Sequence, residues 1–121
     1  MTAKKIINII IILMALIIVM VISGHCYVNY VEKQRKTVMI SSKKSQILFF
    51  YRDNCSDCQK VFHQVYWKSC FHHRIILINM NQSHNHKYVA QYHLTSVPTI
   101  IHGKRRYTGT DMPTINKMIG D

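Results

Sequence analysis

An uncharged apolar run near the start of the chain limits what the remaining residues can fold into. Residues 6–22 read IINIIIILMALIIVMVI, a stretch in which Asn8 is the only polar side chain. As a helix this run is about 26 Å long at about 1.5 Å per residue, which is enough to cross a bilayer. The run therefore predicts a transmembrane anchor or signal over residues 1–24. It leaves the rest of a 121-residue chain for one small domain.

A cleaved secretory signal is the alternative to an anchor. Lys4 and Lys5 form a basic segment before the apolar run, and Ser23-Gly24 offers small residues for cleavage. However, the run is longer than a usual signal core and lacks an A-x-A pattern, which favours an uncleaved anchor. Basic residues lie on both sides of the run, so the charges alone give no orientation. Since only a very short tail precedes the run, we expect a single-pass protein of the cell membrane with its domain outside the cytoplasm.

The formal net charge of +11 raises the question of an anionic partner. The basic residues are scattered, and their tightest cluster, Lys104-Arg105-Arg106, lies in a predicted hairpin turn without aromatic residues that would bind bases. We therefore expect no nucleic acid partner. Attraction to the anionic headgroups of a membrane explains the excess of positive charge.

The hydrophobic pattern predicts a small α/β domain over residues 46–121, after a linker or juxtamembrane helix over residues 25–45. The predicted elements are a strand at 46–51, a helix at 56–71, a strand at 74–80, a helix at 86–93, strands at 99–102 and 106–108 and a helix at 112–119. Asp111 is placed to cap the last helix. This order predicts a mixed sheet that is parallel where helices cross over and antiparallel at the final hairpin.

Cys55 and Cys58 form a C-x-x-C pair where a buried strand gives way to a helix. As a redox centre, Cys55 would lie at the helix N-terminus, where unpaired N–H groups and the helix dipole stabilise a thiolate. Cys58 would lie deeper on the same side, as a resolving thiol requires. A static disulfide is disfavoured because the loop that it closes is too small to confer much stabilisation.

A metal site is the other alternative, and it needs two more ligands. Cys70 with His72 or His73 gives a spacing within the loose range of zinc sites. If residues 56–71 form one helix, however, Cys70 lies about 18 Å along it from Cys58, too far to share an ion. The favoured function is therefore thiol–disulfide exchange without a metal or other cofactor. A metal-binding module or metallochaperone that uses Cys and His ligands remains the alternative.

The order of motifs resembles the core of the thioredoxin superfamily. The stretches that carry the resemblance are ILFFYRDN, CSDC, QKVF, IILINMN and AQYHLTSVPTI, followed by a hairpin and Gly109. The resemblance implies a minimal thioredoxin-like three-layer sandwich in which Cys55 is the attacking thiol and Cys58 the resolving thiol. It also implies that Pro98 is a cis-proline opposite these cysteines and that Val97 offers its backbone to an extended substrate. Its implied partners are cysteine-containing exported polypeptides and a redox partner protein.

The chain also departs from the thioredoxin pattern. Phe49 stands where thioredoxins often carry a buried acid that assists proton transfer, which implies that the resolving step lacks that help. The carboxylate of Asp57 disfavours negative charge on the neighbouring cysteines. We therefore expect a reduction potential nearer thioredoxin's value of about −270 mV than the value of about −120 mV of a strong oxidase. A short domain behind one anchor is similar to thioredoxin-like accessory proteins encoded with secreted bacteriocins of Gram-positive bacteria.

Overall fold

The computed structural model describes residues 2–41, 45–72 and 74–120 of the chain. It contains two compact units, Met1–Val31 and Glu32–Asp121, and helix α1 (Ala3–Glu32) makes up nearly all of the first unit. The large apolar side chains of α1 between Ile6 and Ile22 are exposed. Among the described residues, α1 is the one helix that is long and apolar enough to cross a membrane.

The second unit is built around a four-stranded mixed sheet. Its strands are β1 (Ile47–Tyr51), β2 (Ile75–Asn79), β3 (Thr99–His102) and β4 (Arg105–Thr108), and its helices are α2 (Ser56–Phe71), α3 (Lys87–Gln91) and α4 (Met112–Gly120). The strand order is β2-β1-β3-β4. β1 pairs in parallel with β2 because α2 crosses over between them, whereas the other two pairs are antiparallel. The structure confirms the predicted mixed sheet, and every helix and strand predicted within residues 46–121 begins and ends within two residues of its observed bounds.

Strand β1 lies at the centre of the unit and is buried on both faces. Because successive strand residues point to opposite faces, Phe49 and Tyr51 face α2, where the Tyr51 and Phe62 ring centroids are 4.7 Å apart. Phe50 points to the other face, where its ring centroid lies 6.5 Å from that of Tyr88 beside α3. Helices therefore cover both faces of the sheet, which confirms the predicted three-layer sandwich.

Helix α4 completes the layer that contains α2. Its first turn is capped by Asp111, whose carboxylate accepts the N–H of Thr114 at 3.2 Å, as the sequence predicts. Near its other end, the main-chain carbonyl of Met118 bonds to Nδ1 of His102 at 2.7 Å. Because His102 is the last residue of β3, this bond fixes α4 against the strand that continues from the predicted proline turn.

An extended segment over residues 34–41 lies beside the layer that contains α3. The fully buried Asn85 binds it at two points: Oδ1 accepts the N–H of Val38 at 3.0 Å, and Nδ2 donates to the carbonyl of Lys36 at 2.9 Å. Tyr88 adds a third point, because its hydroxyl accepts the N–H of Ile40 at 3.2 Å. Side chains therefore satisfy backbone groups that would otherwise need a neighbouring strand.

Replacing Asn85 with Ala is expected to lower the free energy of unfolding by about 2 kcal/mol, because it leaves buried backbone donors and acceptors without partners. Chemical unfolding of the full chain in a non-ionic detergent, followed by the fluorescence of its single tryptophan, Trp67, measures the change. The neighbouring exposed residue provides the control, since His84→Ala removes no buried hydrogen bond. Equal unfolding free energies for the two variants would contradict this account of residues 34–41.

Candidate active site

Cys55 and Cys58 lie at the start of α2 and differ sharply in exposure. Cys55 is the N-cap residue, with extended backbone, and its Sγ accepts the N–H of Cys58 at 3.3 Å. Cys55 is half-buried, whereas Cys58 is 0% exposed and its Sγ accepts the main-chain N–H of Arg52 at 3.4 Å. Both thiols are free in this structure. The arrangement combines one accessible sulfur at a helix N-terminus with one buried sulfur a turn further along.

Burial is the main cause that raises the pKa of Cys58 to about 12. The hydrogen bond with Cys55 and the negative charge of Glu32 act in the same direction, while the N–H of Arg52 opposes them. Cys58 is therefore a protonated thiol at neutral pH. Since the thiolate is the form that attacks disulfides, Cys58 needs a proton acceptor before it can attack.

A network of hydrogen bonds lies next to the cysteines, at the carboxyl end of β2. Asp53 accepts two bonds from the Arg35 guanidinium, at 2.9 and 3.2 Å, and a third from Nδ2 of Asn79 at 2.9 Å. The bond from Arg35 is the main cause that holds the pKa of Asp53 below its usual range. The same Asn79 amide nitrogen donates to the carbonyls of Glu32 at 3.3 Å and Gln34 at 3.1 Å. Asp53 is thus a paired carboxylate that stays ionised.

Glu32 contributes a second carboxylate, which sequence reasoning missed. Glu32 is only 5% exposed, and its Oε1 is buried without a hydrogen-bond partner among the described residues. Glu32 lies ten residues after the apolar run ends at Ile22, in the unit that contains the sheet. The one signal that could have marked it is that no other acidic residue precedes Asp53 in this basic chain.

Val97 and Pro98 lie at the same end of the sheet as the cysteines. The bond between them is cis, as the resemblance implied. Thr99 pairs with Phe50 in the antiparallel register, so the residues just before β3 lie where β1 leads towards Cys55. Neither the N–H nor the C=O of Val97 is hydrogen-bonded within the described part of the chain.

A cavity of about 380 Å³ connects the turn before Pro98 with the segment that follows β1. Its lining includes Arg52, Val97 and the apolar side chains of Met80 and Leu94. The cavity therefore joins the residue that holds the Cys58 sulfur to the residue predicted to bind substrate.

The residues suggested as metal ligands do not gather into one site. Within residues 2–41, 45–72 and 74–120, no group of three or more His, Cys, Asp or Glu side chains is close enough to hold a metal ion. Cys70 is exposed at the far end of α2, near His72. His73, the other suggested ligand, lies outside the described residues.

The sheet order, the three layers and the cysteine pair at the start of α2 define a thioredoxin fold. The chain is similar to the crystal structure of Chlamydomonas reinhardtii thioredoxin f2, with a TM-score of 0.52 and 21% sequence identity, over 80% of this chain and 89% of that one. No protein-family model and no curated protein sequence matches the chain. The likeness shows the fold, and the fold together with the cysteine pair supports a thiol–disulfide oxidoreductase.

The low pKa of Asp53 makes the stability of the folded chain depend on pH. A carboxylate whose pKa is lower in the folded state stabilises the fold above its unfolded value of about 3.9, and this contribution is lost as the pH falls through the folded value. We expect Asp53→Asn to reduce the free energy of unfolding by about 1 to 2 kcal/mol near neutral pH. The difference from the parent should shrink below about pH 4. Chemical unfolding at a series of pH values measures both effects.

Asp57 provides the matched control, because it forms an exposed ion pair with Lys60 at 3.3 Å. Asp57→Asn should change the free energy of unfolding by less than about 0.5 kcal/mol at any pH. If Asp53→Asn destabilised the chain equally at about pH 2 and about pH 7, the ionised network around Asp53 would not be the cause.

Proposed function

We propose that this chain is a membrane-anchored thiol–disulfide oxidoreductase that acts on cysteine-containing exported polypeptides. The observation that carries the proposal is the pairing of an accessible Cys55 at the N-terminus of α2 with a fully buried Cys58 whose N–H bonds to the Cys55 sulfur. Unpaired N–H groups and the helix dipole stabilise a thiolate at such a position. Cys55 is therefore the attacking thiol and Cys58 the resolving thiol.

The exchange proceeds in two steps. The Cys55 thiolate attacks one sulfur of a substrate disulfide, so that a mixed disulfide forms and the other substrate sulfur leaves as a thiolate, which takes a proton from water. Cys58 then loses its proton and attacks the Cys55 sulfur, which breaks the mixed disulfide and releases the second substrate thiol. The substrate has gained two electrons, and the protein holds a Cys55–Cys58 disulfide. A redox partner protein reduces that disulfide, and the reverse sequence oxidises a substrate dithiol.

The cavity beside Val97 supports a substrate that binds as an extended chain. The unpaired N–H and C=O of Val97 are available to a substrate backbone, in the manner of strand addition. Met80 and Leu94 supply apolar contacts, and Arg52 is the one charged residue in the lining. Val97 and Pro98 are thus the proposed substrate-binding residues, and recognition tolerates many sequences around the substrate cysteine.

Helix α1 supports the membrane location, and we infer that the catalytic unit lies outside the cytoplasm. Its exposed apolar side chains between Ile6 and Ile22 suit the lipid interior of a membrane. The net charge of +11 favours anionic headgroups as the partner, because the sequence lacks a nucleic-acid-binding motif. The narrower resemblance to bacteriocin accessory proteins stays a prediction.

Replacing Cys58 with Ser is expected to trap the first intermediate, because Ser cannot attack the mixed disulfide. Disulfide-linked adducts on Cys55 should then accumulate in cells and disappear on treatment with a reductant, as seen by non-reducing gels and mass spectrometry of the full chain. Cys55→Ser should abolish the adducts. Cys70→Ser is the matched control, since it removes an exposed thiol of the same helix that has no part in the exchange.

Two results would count against the proposed function. One is full disulfide exchange activity in a chain that lacks both Cys55 and Cys58. The other is near-stoichiometric zinc or copper in preparations made under reducing conditions, which would favour the metal-binding alternative.

A further inference from the structure

Glu32 is a buried carboxylate that lacks the partners such a group normally has. Burying an ionised carboxylate costs several kcal/mol unless it is paired or hydrogen-bonded. At 5% exposure, Glu32 has a buried Oε1 that accepts no hydrogen bond from any described residue. It is also the one buried side-chain oxygen or nitrogen in the described residues with this property. A purely structural account gives no reason for a carboxylate at this position.

A hydrogen bond places the main chain of Glu32 next to the ends of β1 and β2, near the loop that leads to the cysteine pair. Its main-chain carbonyl accepts a bond from the side chain of Asn79, which pairs with Tyr51 in the parallel register of the sheet. Tyr51 is followed by Arg52, whose N–H holds the Cys58 sulfur. The carboxylate is close enough for its charge to raise the pKa of both Tyr51 and Cys58.

The other charged groups around Glu32 do not form a hydrogen bond with its carboxylate, which can therefore act as a base. Burial and the neighbouring charge of Asp53 raise the pKa of Glu32, and Lys33 lowers it by less. Arg35 is already bound to Asp53 by two hydrogen bonds. The raised pKa of Glu32 reduces the difference between its pKa and that of the Cys58 thiol, so the transfer of a proton from Cys58 to Glu32 is less unfavourable.

The nearby aspartates are poorer bases. Asp53 accepts three hydrogen bonds, and its pKa is lowered. Asp57 is exposed and paired with Lys60 on the outer side of α2. Neither carboxylate combines burial with a free acceptor atom, as Glu32 does.

We propose that the Glu32 carboxylate accepts the proton of the Cys58 thiol through one intervening water molecule when that thiol attacks the mixed disulfide on Cys55. This inference rests on the proposed function. The proton moves from Cys58 Sγ to Glu32, the Cys58 thiolate forms a bond to Cys55 Sγ, and the bond between Cys55 and the substrate sulfur breaks. The departing substrate thiolate then takes a proton from Glu32, so that the carboxylate is regenerated and the substrate leaves as a thiol.

The test compares the full chain with its Glu32→Gln variant in detergent micelles, with the exposed Cys26 and Cys70 replaced by Ser in both. Oxidised glutathione serves as the disulfide. Acid quenching followed by the mass of the intact chain gives separate rates for formation and for disappearance of the glutathione adduct on Cys55. We expect the Glu32→Gln variant to form the glutathione adduct at a rate within about two-fold of the parent's rate. Near neutral pH, the adduct should disappear at least about ten-fold more slowly than in the parent. The effect should shrink at alkaline pH, where hydroxide deprotonates Cys58 in both proteins.

The sign of the effect distinguishes proton acceptance from simple electrostatics. If Glu32 acted only through its negative charge, Glu32→Gln would lower the pKa of Cys58 and speed the resolving step. An unchanged or faster disappearance of the adduct overturns the inference, as does an equal slowing of both steps, which would indicate a distorted site. Asp57→Asn is the matched control: it removes an exposed carboxylate that lies between the two cysteines in sequence and is paired with Lys60, and it should not slow the resolving step selectively.

If Glu32→Gln does not fold, Glu32→Asp takes its place. This variant should slow the resolving step, and the rate of that step should still level off with rising pH, but at a lower pH than in the parent. An unchanged dependence of this rate on pH would overturn the inference. If no glutathione adduct forms on Cys55 in the parent or in its Cys58→Ser variant, the proposed function fails and the inference fails with it. If the adduct forms and the Glu32→Gln variant resolves it normally, only the role of Glu32 fails.

Discussion

The side-chain amide of Asn79 holds together the segments that form the candidate active site. Its Nδ2 donates to the carbonyls of Glu32 and Gln34 and to the carboxylate of Asp53, while its Oδ1 accepts the N–H of Asn81 at 2.9 Å. Asn79 is the last residue of β2 and is buried, so the register of the sheet sets its position. The placement of the buried carboxylate and of the loop before Cys55 therefore depends on the packing of the sheet.

Two carboxylates near the cysteines have opposite environments. Asp53 is bound by Arg35 and Asn79, which favours its ionised form. Glu32 has a buried, unpaired oxygen, and burial favours its protonated form. This difference in environment gives the two acids different roles: Asp53 organises the site, and Glu32 can take up and return a proton. Phe49, which stands where thioredoxins often carry a buried acid, packs against Phe62 with 6.4 Å between the ring centroids.

The fold and the cysteine pair were predictable because their signals are local. The apolar run QILFFY marks a strand buried on both faces, and C-x-x-C immediately after it marks the start of a helix. The cis bond before Pro98 was implied by the resemblance to the thioredoxin superfamily, which VPT before a strand hairpin helps to carry.

The packing of residues 34–41 and the position of Glu32 were not predictable in the same way. These residues are held by side-chain amides and a tyrosine hydroxyl contributed by residues about fifty positions later, such as Asn85 and Tyr88. Contacts of this kind leave no periodic pattern in the sequence. For the same reason, no sequence pattern indicated that the carboxylate of Glu32, which precedes the domain core, would be buried and near enough to raise the pKa of Cys58.

A redox titration of the full chain in thiol–disulfide buffers tests most directly whether Cys55 and Cys58 form a working redox couple. Alkylation of the free thiols at each potential, followed by mass spectrometry, reports the oxidation state of this pair separately from Cys26 and Cys70. We predict one reversible two-electron transition between the dithiol and a Cys55–Cys58 disulfide, with a midpoint nearer about −270 mV than about −120 mV. A pair that does not form a reversible disulfide, or a midpoint above about −150 mV, would contradict this account.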